Sequence, residues 1–240
     1  MNGKEKRARL SAVVAALETL YPAAECALTW GGDDPWRLLV MGRLSAQCTD
    51  ARVNLTAGPL FARFPDVRAM AEADVSEVEG YVRSCGLYHR KAEDLVLASR
   101  MILDRFGGRV PGTMDELLLL PGVGRKIANL ILGDVFGVGA IVTDTHCIRI
   151  CGRLGFYPEK EKNPYKIERI LLGLLDDAAK GPAFCHRIVW FGRDVCRAQN
   201  PACGACPLAS VGLCERRLRE RTSGRDASSV RRPEKGSRDG

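Results

Sequence analysis

The chain has no run of apolar residues long enough to span a bilayer, and its first residues, MNGKEKRARL, are charged where a secretory leader would be apolar. No membrane association is therefore expected, and the cytoplasm is the expected compartment. No segment alternates apolar and polar residues as a half-buried strand does, so the expected fold class is all-α. Histidine is scarce, and the three present, His89, His146 and His186, share no spacing that marks a metal site or a catalytic pair. Packing and hydrogen bonding are their expected roles, with His146 nearest to chemistry because Asp144 lies beside it. Acidic residues are outnumbered, 29 against 36 Lys and Arg, and the net charge of +7 favours a polyanionic partner.

What is present is helical periodicity. Leu10, Val13, Val14, Leu17 and Leu20 keep it until Tyr21-Pro22. Asp34 can cap a helix that has Pro35 at its first position and runs from Trp36 to about Gln47. Further helices are expected near Val53 to Phe61, Val67 to Met70, Val75 to Val82, Lys91 to Phe106, Ile148 to Leu154, Tyr165 to Leu175 and Phe184 to Val195. From about Arg219 the chain turns to Arg, Ser, Gly, Asp and Pro, and residues 219–240 read as a disordered basic tail.

Ten cysteines fit poorly with disulfides in a reducing compartment. Six of them, Cys26, Cys48, Cys85, Cys147, Cys151 and Cys185, have no metal-like spacing with one another and are expected to pack as small hydrophobes. Cys196, Cys203, Cys206 and Cys214 differ, because only six, two and seven residues separate successive thiols. Four clustered thiolates suit either a zinc ion or a [4Fe-4S] cluster.

The stretch Leu120-Pro121-Gly122-Val123-Gly124-Arg125-Lys126 combines a turn, a helix start and an amine. Pro121 resists continuing the preceding helix, while Gly122 and Gly124 permit positive φ and a close approach to bare backbone. Ile127, Ala128, Leu130, Ile131 and Val135 then resume helical spacing, so a second helix should begin near Arg125. Its unpaired N–H groups and positive dipole end form a ready phosphate site. An amine that attacks carbon must be unprotonated, a state favoured by desolvation and by a helix start. Lys126 falls in that first turn.

The string LPGVGRKIAN resembles the helix-hairpin-helix motif of DNA repair glycosylases, in the form found in the endonuclease III family. Thr143-Asp144-Thr145-His146, the LSAQCTD of residues 44–50 and the GLYHRKA of residues 86–92 extend the likeness over nearly all of the chain except the tail. The resemblance implies two helical domains flanking a DNA-binding groove. Residues 28–138 would form a helical bundle carrying the hairpin at 115–135, and residues 1–27 would join 139–218 in an iron-sulfur cluster domain.

It further implies a bifunctional DNA N-glycosylase and abasic-site lyase acting as a monomer on damaged double-stranded DNA. Such an enzyme releases oxidised pyrimidines and cleaves the strand by β-elimination. Lys126 would be the nucleophile, Asp144 the carboxylate that stabilises charge on the sugar, and the four clustered cysteines the ligands of a [4Fe-4S] cluster. The last interval is two residues longer than the family's C-x6-C-x2-C-x5-C pattern. Gln47 and Leu87 would fill the gap left by a flipped nucleotide. Gly122, Val123, Gly124, Arg125, Arg193 and Arg197 would contact the DNA. The competing readings are a relative of the adenine mispair glycosylases, a branch that lacks the lysine, and a non-enzymatic helix-hairpin-helix DNA-binding protein.

Overall fold

The structure, a computed structural model, describes residues 1–32 and 34–217; the tail expected at 219–240 lies outside them. Within the described residues every regular element is helical and there is no strand. In order they are α1 (Gly3–Leu20), α2 (Pro35–Leu44), α3 (Asp50–Arg63), α4 (Val67–Ala71), α5 (Val75–Val82), α6 (Tyr88–Phe106), α7 (Met114–Leu117), α8 (Arg125–Asp134), α9 (Thr145–Arg153), α10 (Pro164–Leu174), α11 (Gly181–Asp194) and α12 (Pro207–Ser210). No described helix is long and apolar enough to cross a membrane.

Most helix starts follow from a single polar side chain. Asp34 accepts from Trp36 N at 2.9 Å with Pro35 at the first position, as the sequence led us to expect. Thr49, Asp66, Asp74, Thr113, Asp144 and Asn163 cap α3, α4, α5, α7, α9 and α10 in the same way. Four helices break the rule: α6 starts from Leu87, α8 from Gly124, α11 from Lys180 and α12 from Cys206, none with a side-chain cap. Helix α2 also stops earlier than its apolar pattern suggests, at Leu44 rather than Gln47. The chain turns at Ser45 and Gln47 adopts a left-handed φ of 54°, which no helix interior accommodates.

The apolar residues form two separate cores. The first runs from Leu28 to Ala140 and takes in the buried faces of α2 to α8, with Met41, Leu60, Val96 and Ile131 fully enclosed. The second unites Leu10, Val13, Val14 and Leu17 of α1 with residues from Ile141 to Leu208, among them Ile150, Phe184 and Ile188. Burying one such side chain contributes about 1.5–3 kcal/mol, so each core gives its helices a separate reason to associate. The chain passes between the two at the connection from α1 to α2 and again between Ala140 and Ile141.

The seam between the cores is polar. Arg125 at the start of α8 donates from Nε and Nη2 to Glu168 of α10 at 2.7 and 2.8 Å, and Asn129 Nδ2 adds a third bond at 2.8 Å. The Arg125 guanidinium also stacks on Tyr165, 4.6 Å from the ring centre. Removing Glu168 would leave Asn129 and the guanidinium without their acceptor. Because Arg125 keeps about a third of its side chain in water, Glu168→Ala should cost less than a wholly buried pair, about 2 kcal/mol. Urea unfolding followed by far-UV circular dichroism measures this, and an unchanged midpoint would show that the seam does not depend on the pair.

Candidate active site

Between the two cores lies a cavity of about 530 Å³. Lys126 reaches it from the first turn of α8 and Asp144 from the N-cap of α9, while Gln47 and Arg193 line the same space. These four residues thus converge from four distant stretches of sequence. Lys126 is exposed and Asp144 half-buried. The Asp144 carboxylate is held in place by one oxygen, Oδ1, which accepts from Cys147 N at 2.7 Å. That arrangement leaves Oδ2 for the cavity. His146, beside it, contacts Arg149 at 3.2 Å, and burial pulls its imidazole below the ordinary value, so it is neutral at physiological pH.

The hairpin before α8 divides its duties between two glycines. Gly122 has a φ of 74°, and a Cβ there would lie 2.6 Å from Arg43 Nε and 2.7 Å from Asp94 Oδ2. Those two groups form a buried ion pair, with Arg43 Nε donating to Asp94 at 2.8 Å. Gly122 therefore seats the hairpin on the first core. Gly124 has extended backbone, φ −99°, and a Cβ there would meet nothing within 4 Å. The positive φ anticipated at both positions thus belongs to Gly122 alone, and Gly124 instead keeps the uncapped start of α8 bare.

The other expected contact residues are placed differently. The Val123 side chain is buried in the first core and the Arg125 guanidinium is turned to Glu168, so what the hairpin presents outward is backbone. Arg193 pairs with Asp50 of α3. Arg197 is exposed on the cysteine loop, where its carbonyl accepts from Arg153 Nη1 at 2.8 Å. Leu87, 56% exposed, stands outside the cavity in a left-handed conformation, φ 49°.

Lys91, the basic residue near the end of the GLYHRKA string, has a role that sequence spacing does not reveal. Its side chain is fully buried, and Nζ donates to Leu44 O at 2.9 Å and to Cys85 O at 2.8 Å. One carbonyl ends α2 just before the Gln47 turn; the other ends the short 3-10 turn before Gly86-Leu87. A single ammonium thus ties together the loops that carry the left-handed residues Gln47 and Leu87. Burial lowers its pKa below that of a solvated lysine.

Cys196, Cys203, Cys206 and Cys214 line one apolar pocket with Leu154, Phe191 and Leu208. The longer last interval is taken up by α12 and by Gly212 at φ 75°, after which Leu213 N bonds back to Leu208 O at 2.9 Å. A single zinc ion would draw four thiolates to about 3.8 Å of one another. Among the described residues no three of these thiols come within 4.8 Å of one another, so the pocket suits a wider cluster held by four cysteines. Arg153 donates to Cys196 Sγ at 3.4 Å, and Arg149 Nε to Cys196 O at 3.2 Å, tying the loop to α9.

Comparison with known proteins follows the same lines. Residues 40–176 match the HhH-GPD superfamily of base excision DNA repair proteins, and residues 196–211 match the iron-sulfur binding domain of endonuclease III. The chain is 43% identical over 207 residues to endonuclease III of Synechocystis, covering 86% of this chain and 92% of that one. It is also similar to a solved non-covalent endonuclease III–DNA complex, with a TM-score of 0.82, 34% identity and coverage of 92% of this chain and 99% of the other. A trapped endonuclease III–DNA covalent intermediate matches with the same TM-score, identity and coverage.

The two hairpin glycines should respond differently to a methyl group. Gly122→Ala combines a left-handed alanine with a clash against the Arg43–Asp94 pair and should destabilise the fold by about 3 kcal/mol. Gly124→Ala should change stability by only a few tenths of a kcal/mol to about 1 kcal/mol, yet weaken binding to duplex DNA at several salt concentrations. Thermal melting and fluorescence anisotropy separate the two effects; tight DNA binding by Gly124→Ala would remove the hairpin backbone from the interface.

Proposed function

Because this chain belongs to the endonuclease III family of the HhH-GPD superfamily, we propose that Lys126 and Asp144 carry its chemistry. The protein is a base excision repair DNA glycosylase with abasic-site lyase activity, and its cofactor is a [4Fe-4S] cluster. The finer assignment rests on one observation: an exposed lysine at a helix start and an oriented carboxylate share a single cavity between the two cores. Oxidised pyrimidines in double-stranded DNA are the proposed substrate, handled by a monomer in the cytoplasm. The two cores are read as two domains, 28–138 and 1–27 with 139–218.

In this reading the DNA backbone is held at the start of α8 by the N–H groups that no side chain caps. The damaged nucleotide rotates into the cavity, with Gln47 facing the orphaned partner base and Leu87 replacing lost stacking. Lys126 Nζ attacks C1′ of the sugar as the bond to the base breaks. Asp144 Oδ2 stabilises the positive charge that develops on the ring and assists proton movement at the amine. Breaking of the C1′–O4′ bond, with a proton passed to O4′, opens the ring and leaves an iminium; this acidifies the adjacent carbon, and loss of that proton expels the 3′ phosphate. Cys196, Cys203, Cys206 and Cys214 would hold the cluster, which fastens their loop to α9. Arg193 and Arg197 would add phosphate contacts.

Borohydride reduction tests the nucleophile. The parent should be trapped covalently on a duplex with one abasic site, and Lys126→Gln should lose both the adduct and strand cleavage while still binding. Asp144→Asn preserves the cap on α9, since asparagine caps as well as aspartate, and should slow base release by about 10²-fold or more. An adduct that persists in Lys126→Gln would place the nucleophile elsewhere.

Lys91→Met tests the loop clamp in the same assays. It leaves two buried carbonyls unpaired and should cost about 2 kcal/mol. It should also slow release of a paired damaged base more than cleavage at a pre-made abasic site, because only the former requires extruding an intact base. Equal slowing on both substrates would reduce Lys91 to a purely structural residue.

A further inference from the structure

Cys26, Asp134 and His186 are far apart in the sequence, yet the thiol, a carboxylate oxygen and a ring nitrogen all lie within 4.8 Å of one another. Each residue comes from a different element. Cys26 sits in the connection from α1 to α2, Asp134 is the last residue of α8, and His186 lies in the second turn of α11. His186 Nε2 is 2.9 Å from Asp134 Oδ1 and 3.1 Å from Oδ2. All three side chains are half-buried and line a surface depression with Trp30 and Pro182, while Cys26 and His186 also line the main cavity.

We propose that these three residues form a binding site for a zinc-class divalent cation, separate from the four-cysteine cluster. Burial pushes the Cys26 thiol up to about 12, so an entering ion displaces its proton to solvent; the resulting thiolate and the carboxylate supply two negative charges, and the imidazole completes three of the four positions of a tetrahedral ion. The solvent-facing depression supplies the fourth as water. A soft sulfur and an imidazole select zinc or cobalt over magnesium and calcium, which prefer oxygen alone. Ligand bonds of about 2.0–2.3 Å place the donor atoms roughly 3.3–3.8 Å apart. The His186–Asp134 pair, at 2.9 Å, is slightly closer than that range and no pair in the triplet exceeds 4.8 Å, so small side-chain shifts admit an ion.

The site's position indicates what it does. Asp134 ends a helix of the first core, His186 belongs to a helix of the second, and Cys26 lies on a strand of chain joining the two. An ion here would staple both cores behind the cavity. Asp134 lies eight positions beyond Lys126 on α8, about 12 Å along the helix, so the ion would sit at the far end of the cavity from the amine. Its effect is to set the cavity's width, not to take part in bond breaking.

The test uses the protein with its iron-sulfur cluster intact, freed of loose metal by a mild chelator and titrated with zinc chloride. Calorimetry and elemental analysis should find one zinc per chain, with iron content and visible absorption unchanged, and zinc should raise the melting temperature. Cys26→Ser, Asp134→Asn and His186→Gln should each weaken zinc binding by more than about 100-fold and abolish the thermal shift. Cobalt chloride gives a readout independent of stability: a sulfur-to-cobalt absorption band in the difference spectrum that Cys26→Ser eliminates. No zinc retained by the parent at micromolar free zinc would overturn the proposal. So would parent-like zinc binding by Cys26→Ser, or a cobalt spectrum without the sulfur band.

Discussion

Glu168 is a carboxylate with almost no access to water, and all three of its hydrogen-bond donors come from the first two turns of α8. A buried charge of this kind is tolerated only when its lone pairs are filled, so α8 is held against α10 in one rotational setting. Successive residues on a helix point about 100° apart. With Arg125 committed to Glu168, its neighbour Lys126 is turned to the cavity. The orientation of the amine thus follows from a bond made by a different residue to the other core. The same bond leaves the backbone at the start of α8 facing outward, where a duplex can reach it.

Departures from local rules mark the Gln47 turn and the hairpin at the cavity, and the Leu87 loop outside it. Most helices begin with an Asp, Thr or Asn cap, whereas α6 and α8, which follow the Leu87 loop and the hairpin, begin with none. Gln47 and Leu87 hold left-handed backbone that neither residue favours, a conformation that costs on the order of 1–2 kcal/mol each. Lys91 explains how both are maintained: its ammonium bonds the carbonyls at the end of the two preceding turns, and the negative ends of those turns in turn offset the cost of burying the charge. Stability from elsewhere in the first core is thereby converted into fixed positions for two loop tips.

How much of this was legible in the sequence depends on the range of the interaction involved. Asp34-Pro35 and the apolar spacing of α1, α8 and α11 act within a turn or two, and helices stand over the stretches they mark, α1 and α11 reaching back to Gly3 and Gly181. The early end of α2 was not legible, because the Leu44 carbonyl that ends it is bonded by Lys91 from 47 residues away. The inward turn of Arg125 was hidden for the same reason: a basic residue after G-V-G reads as a phosphate contact until the carboxylate on α10 is in view. Of the six cysteines expected to pack as hydrophobes, Cys85, Cys147, Cys151 and Cys185 are buried, but Cys26 and Cys48 are only half so. The setting of Cys26 beside Asp134 and His186 had no signal in spacing, since each residue comes from a different element.

Helix α9 gives the cysteine loop a mechanical role in the site. Its N-cap is Asp144, and on its later turns Arg149 and Arg153 bond Cys196 O, Cys196 Sγ, Arg197 O and Ala198 O. Cys214 Sγ returns the link by approaching Arg153 O at 3.7 Å. The helix is only nine residues long, too short to hold its geometry without tertiary support. Besides its buried face in the second core, one end is held by the hydrogen bond from Cys147 N–H to Asp144, and the other by the cysteine loop. A cluster that fixes that loop fixes α9 through the two arginines, and through α9 the direction of the Asp144 carboxylate. In this way iron and sulfur can support the breaking of a glycosidic bond without any electron leaving the cluster.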